Sequence, residues 1–108
     1  MSETLKHLLN VDRIIHEPAR LMIMAILSAT ESADFLYLLN ATGLTRGNLS
    51  SHLTKLEKAG YVQIEKTFVG KIPRTICRLT PAGSEALELY LNQMQTVLNK
   101  TITNTEKQ

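Results

Sequence analysis

Apolar and polar positions recur along this chain with two periods, and the change between them falls at Gly60. Up to that point the period is helical. Leu5, Leu8 and Leu9 share one side of a short segment from Thr4 to Leu9. From Pro18 to about Ala29 the chain is apolar nearly all round, through Leu21, Met22, Ile23, Ala25, Ile26 and Leu27. That pattern predicts a central, largely buried helix. Pro18 suits its first position, where a backbone N–H would have no intrahelical partner. Asp34 is placed to cap a second helix, Phe35 to about Thr42, with Gly43 as its stop. Thr45 caps a third, Arg46 to about Ala59, whose Leu49, Leu53, Leu56 and Ala59 fall on one side. Only Gly43, Leu44 and Thr45 separate these two helices. A short glycine-containing turn between two helices is the sequence form of a helix-turn-helix.

After Gly60 the period drops to two. In "YVQIEKTF", Val62 and Ile64 alternate with Gln63 and Glu65. The alternation resumes in "TICRLT" after a break from Val69 to Arg74, which predicts two strands joined by a hairpin. Gly70 can supply a positive φ in the loop, and Pro73 belongs in a loop or at a strand edge. Thr80-Pro81 opens a last helix, in which Leu87, Tyr90, Leu91, Met94, Val97 and Leu98 recur at three- and four-residue spacing. The tail TNTEKQ is expected to fray. The outline is mainly α with a β-hairpin wing, a winged helix-turn-helix. At 108 residues, one domain over 1–108 is expected.

The third helix has an unusual polar side. It presents Gly47, Asn48, Ser50, Ser51, Thr54, Lys55 and Lys58, mostly small or hydrogen-bonding groups. Solubility alone would favour Glu, Lys and Gln, which cost less helix propensity. Small residues let the backbone approach a crowded partner. Hydroxyls and Asn48 can bond base edges or phosphates, and lysines neutralise phosphates. The helix N-terminus also favours a phosphate. A solvated surface helix would account for these residues equally well, so the helix alone does not decide.

Charge changes the balance. Residues 43–78 hold seven basic residues against two acidic ones, a net +5, while the whole chain carries only +2. Such asymmetry points to a polyanion. In "KTFVGKIPRT" the hairpin brings Lys66, Lys71 and Arg74 close to a glycine bend. A loop of this kind can follow a phosphate backbone or set a cation in a narrow minor groove, while the helix enters the major groove.

The last helix allows two readings. Its apolar stripe could cover the core, yet at 1.5 Å per residue it is long for so small a domain. A second copy is the natural partner, with Leu5, Leu8 and Leu9 joining Leu87, Tyr90, Leu91, Met94, Val97 and Leu98. Residues 1–10 and 81–103 would then form a homodimer interface, and two recognition helices would double the bases read.

Other chemistry finds little support. The longest apolar run, Leu21 to Leu27, is far below the roughly 18–20 residues of a membrane span. No signal-peptide core is visible, so a cytoplasmic protein without a membrane partner is expected. One cysteine, Cys77, excludes an intrachain disulfide framework and reads as core, as do Met22 and Met24. His7, His16 and His52 are scattered, with no metal-ligand spacing, nucleophile–base arrangement or phosphate loop. His52, on the flank of the third helix, suits a backbone or phosphate hydrogen bond. Aromatics make up 5% of residues, which argues against a single-strand platform on Tyr61 and Phe68. Neither a cofactor nor an enzymatic activity is expected.

Four stretches, "HEPARLMIMAIL", "FLYLLNATGLTRGNLSSHLTKLEKAGYV", "FVGKIPRT" and "LTPAGSEAL", resemble the small single-domain winged-helix regulators of bacteria and archaea related to the MarR and ArsR families. The likeness covers roughly residues 11 to 91. It implies a homodimeric regulator that binds double-stranded DNA. By position, it puts Thr45, Arg46, Asn48, Ser50, Ser51, Thr54 and Lys55 of the helix, and Lys71 and Arg74 of the wing, against DNA. Lys66 joins them on charge. The cysteine pair of ArsR-type metal sensors is missing. A winged helix that binds an acidic protein through its hairpin is the alternative, and the lack of an apolar patch on the third helix weighs against it. The operator, any effector, and the choice between repressor and activator are not legible in the sequence.

Overall fold

The computed structural model describes residues 5–106. Of the N-terminal segment expected to be helical, Thr4 lies outside these residues. Leu5 and Lys6 are helical, and His7–Asn10 forms a single 3-10 turn. Four α-helices follow: α1 (Pro18–Ser28), α2 (Phe35–Thr42), α3 (Arg46–Lys58) and α4 (Pro81–Glu106). Strand β1 (Ala33–Asp34) precedes α2, and strands β2 (Val62–Val69) and β3 (Ile72–Leu79) lie between α3 and α4. Together they make a mostly helical winged-helix fold.

The caps follow the sequence closely. Pro18 opens α1, and the Glu17 carboxylate accepts from the Arg20 N–H. Asp34 accepts from the Tyr37 N–H to start α2, and Gly43, at φ 70°, ends it in the left-handed region. Thr45 accepts from the Asn48 N–H and starts α3. The buried residues of α1 and α3, among them Ile23, Met24, Leu27, Leu49, Leu53 and Leu56, meet Leu38, Val62, Cys77 and Leu87 in one core.

The hairpin is longer than the sequence suggests. Val69 to Arg74 is no loop: the ladder runs from Val62↔Leu79 to Val69↔Ile72 and leaves only Gly70 and Lys71 to turn. Gly70 has φ 64° and Lys71 does not have a positive φ. That is the demand of a type II′ turn, which matches the twist of the flanking strands. Pro73 pairs with Phe68 one rung from the turn, where a narrow hairpin leaves the pair outside the hydrogen-bonded ladder, so its missing N–H costs nothing. Strand β1 is too short for any period to announce. It adds a third strand through Ala33↔Cys77 and Asp34↔Ile76, in the order β1-β3-β2.

A tight junction fixes α4 to the hairpin base. The Thr80 hydroxyl accepts from the Gly83 N–H and donates to the Gly60 carbonyl, and the Thr80 N–H donates to the Tyr61 carbonyl. Tyr61 in turn donates its hydroxyl to Asp12, which also accepts from the Ile14 and Ile15 N–H groups. The Asp12 hydrogen bond, with burial added, pushes the Tyr61 phenol up to about 12. The tail expected to fray is helical through Glu106; Lys107 and Gln108 lie outside the described residues. Helix α4 extends well beyond the core. The molecule measures 62 × 24 × 22 Å with a radius of gyration of 16.6 Å, against about 13 Å for a compact chain of this length. Among the described residues no helix is long and apolar enough to cross a membrane.

Candidate nucleic-acid interface

Three buried leucines decide which way α3 faces. Leu49, Leu53 and Leu56 are in the core, so the opposite side must look outward. Thr45, Arg46, Gly47, Asn48, Ser50, Ser51, Thr54, Lys55 and Lys58 are all exposed. Two of these groups are partly engaged. The Thr45 hydroxyl caps the helix, and the Thr54 hydroxyl donates to the Ser50 carbonyl. Lys55 and Lys58 lie in the last turn, where the helix dipole favours cations.

The hairpin stands beside this face. A groove of about 350 Å³ runs between them, lined by Ser50, Thr54 and Glu57 of α3 and by Ile64, Lys66 and Thr75 of the wing. A second cleft of about 350 Å³ brings Arg46, at the start of α3, to Arg74 and Pro73 of the wing and to Leu36 of α2. Lys55 and Lys58 line a different hollow, with Ile14 and Arg20. Lys71 occupies the turn itself. The surface therefore joins small polar groups of the helix to Lys66 of the wing, with the acidic Glu57 in the same lining and Arg46 and Arg74 in the adjoining cleft.

The cations are not equivalent. Arg74 is tied back to Asp34, with Nη2 at 3.1 Å and Nε at 3.2 Å from the same carboxylate oxygen. That carboxylate also caps α2, so one acid serves the helix and restrains the arginine. A phosphate would have to compete with it. Arg78 pairs with Glu65 at 3.0 Å. Lys55, Lys66 and Lys71 have no ion pair among the described residues. The sequence marks Asp34 as a cap, but only the folded register brings it to Arg74.

Behind the interface sits a polar cluster that sequence reasoning missed. Arg20 is 8% exposed, in a helix read as apolar nearly all round. Its Nε donates to the Ile14 carbonyl at 2.6 Å, and its Nη1 meets His52 Nδ1 at 3.1 Å. Arginine can only donate, so His52 Nδ1 is the acceptor in this contact. Glu17 stands 3.8 Å from the same nitrogen. Burial works against the Glu17 charge, but hydrogen bonds from the Arg20 and Ala19 backbone, with His52 and Arg20 nearby, leave its carboxyl below the usual range. His52 thus braces α3 against α1 with Nδ1. No phosphate is needed to explain it.

The residues expected at a dimer interface divide into two sets. Leu87 and Tyr90 belong to the core, and Val97 is also buried within the chain. Tyr90 is further held by His16, whose Nδ1 lies 2.7 Å from its hydroxyl. These three are used up inside one copy and cannot form a free contact face, because one side of α4 has to cover the domain. Leu5 and Met94 are half-buried. Leu8, Leu9, Leu91 and Leu98 are exposed, and Ile102 extends their stripe by one further turn.

A helix-turn-helix whose second helix is small and polar outside, with a hairpin at its flank, defines a winged-helix DNA-binding domain. The chain belongs to that family: the model described as "winged helix DNA-binding domain" matches residues 19–98. It is 34% identical over 82 residues to an uncharacterised protein of Methanocaldococcus jannaschii, MJ0432, covering 76% of this chain and 89% of that one. Its fold matches a transcriptional regulator homologue from Pyrococcus horikoshii OT3 with a TM-score of 0.84 and 32% identity, covering 92% of this chain and 97% of that one. A protein assigned to the MarR family of transcriptional regulators, from Enterococcus faecalis V583, matches with a TM-score of 0.69 and 25% identity, over 88% and 84% of the two chains. The chain is thus a DNA-binding regulator by family, with duplex DNA as its partner, and the family is not one of enzymes.

Proposed function

We propose that the chain works as a homodimer that binds a specific duplex sequence and represses by occluding a promoter. Asn48, Ser50, Ser51 and Thr54 read base edges in the major groove. Thr45, Arg46, Lys55, Lys66 and Lys71 hold phosphates, with Arg74 contributing once it leaves Asp34. The observation that carries this reading is the groove in which the bare polar side of α3 meets Lys66 of the wing. Small groups on the helix and a cation on the wing suit a helix that must enter a groove about 12 Å wide. Residues 1–108 act as one DNA-binding unit in the cytoplasm.

The dimer rests on a separate observation. Leu91, Leu98 and Ile102 follow one stripe of a helix that extends past the core, and all three are exposed. A second copy, with Leu8 and Leu9 at the margin, would cover them. Selection of bound sequences from a random duplex pool tests both parts. The expected result is a two-fold-symmetric site with half-sites about 34 Å apart. A single asymmetric half-site would contradict the dimer, and a pool without enrichment would contradict specific binding.

A further inference from the structure

The wing ends in a feature that phosphate binding does not use. Phe68, Val69 and Ile72 are 67%, 54% and 70% exposed, on the two rungs nearest the turn. Val69 and Ile72 pair across one face, and Phe68 and Pro73 across the other, so the tip is apolar on both sides. A hairpin that only followed a phosphate backbone would carry hydroxyls and cations there. Bulky apolar groups on a projecting strand pair are an aggregation hazard and call for an occupant. The charges beside them indicate which. Lys71 lies at the turn and Lys66 two rungs below the Phe68–Pro73 pair, and both are exposed without an ion pair among the described residues. Pro73 of the tip also lines the cleft that holds Arg46 and Arg74.

We propose that the wing tip is a wedge for the minor groove of duplex DNA, with Val69 and Ile72 leading and Phe68 and Pro73 behind. The proposal rests on the DNA-binding reading above and adds how the wing chooses and deforms its site. The dimensions require deformation. A ribbon bearing side chains on both faces is about 10 Å thick, and the minor groove of regular B-DNA is about 6 Å wide. The tip enters only if the groove opens. Apolar side chains that unstack a base step open it and bend the duplex toward the major groove. The two-residue turn and unbroken ladder give a tip stiff enough to do so. Flexible pyrimidine–purine steps under the wing would be preferred, because they kink at least cost.

The test uses a short duplex from the pool that the wild-type chain selects, with a donor and an acceptor dye at its ends. Wild-type protein should bind it and raise energy transfer. The variant Phe68→Thr/Val69→Thr/Ile72→Thr keeps strand-favouring side chains at the two branched positions, and its fold is checked by circular dichroism. It should bind about tenfold more weakly and leave the duplex nearly straight. Lys71→Ala should weaken binding but keep the bend. A bound but straight duplex with wild-type protein would overturn the wedge alone, and so would equal bending by the threonine variant. Failure of the wild-type chain to bind any duplex would overturn the DNA-binding reading and the wedge with it.

Discussion

Gly83 sits where a methyl group has no room: a Cβ there would lie 2.2 Å from the Tyr61 carbonyl oxygen. Backbone cannot step aside cheaply, so Gly83→Ala should destabilise the fold by about 1–3 kcal/mol, read as a lower denaturant midpoint. Glu17, at the start of α1, responds to pH. The Glu17 carboxyl is held below its ordinary value of 4.5, so its contribution to stability is present above that pH and disappears as pH falls through the folded value. Unfolding measured across acid pH should show this decline, and Glu17→Gln should flatten it. Asp34 has a double role, since it both caps α2 and restrains Arg74. Asp34→Asn keeps the cap but frees the arginine, and should tighten binding to duplex DNA at low salt. If affinity falls instead, Arg74 serves the fold more than the partner. Asp34 as a cap is legible from one residue and its neighbours. Its bond to Arg74, like that of Arg20 to His52, depends on distant chain segments meeting.

Among the elements, the helices are the most legible, because each announces itself twice: apolar period and cap. Asp34, Thr45 and Gly43 lie where the sequence puts them, and α3 turns its small polar side outward as its leucines demand. The hairpin is legible in kind but not in length. Val69 to Arg74 looks like a loop because Gly70, Lys71 and Pro73 interrupt the alternation, yet the interruption is a two-residue turn and a proline on the side of a strand that needs no donor. Strand β1, with two residues, offers no pattern at all. For α4, period alone could not say which stripe covers the core. The fold gives Leu87, Tyr90 and Val97 to the chain itself and leaves Leu91, Leu98 and Ile102 outside. At this scale the capping of α3 can be tested: Thr45→Ala should cost about 1 kcal/mol of stability by removing the acceptor for the Asn48 N–H. Chemical denaturation measures it.

The whole molecule is elongated, with the small polar face of α3 beside the wing at one place and an exposed apolar stripe on α4 at another. The stripe makes a prediction about mass. Leu91→Glu/Leu98→Glu should leave the fold intact and shift the species seen by sedimentation from dimer to monomer, with weaker binding to a symmetric site. An unchanged sedimentation coefficient would place any dimer interface elsewhere. On the other surface, α3 and the wing are proposed to hold a duplex through lysines that have no ion pair among the described residues. The most direct measurement is the affinity for duplex DNA as salt is raised. Log affinity should fall linearly with log salt. Lys55→Ala, Lys66→Ala and Lys71→Ala should each reduce the slope by about 0.9 for every phosphate that the lysine no longer neutralises, twice over in a symmetric dimer. A slope that is flat, or that none of the three substitutions changes, would contradict the account.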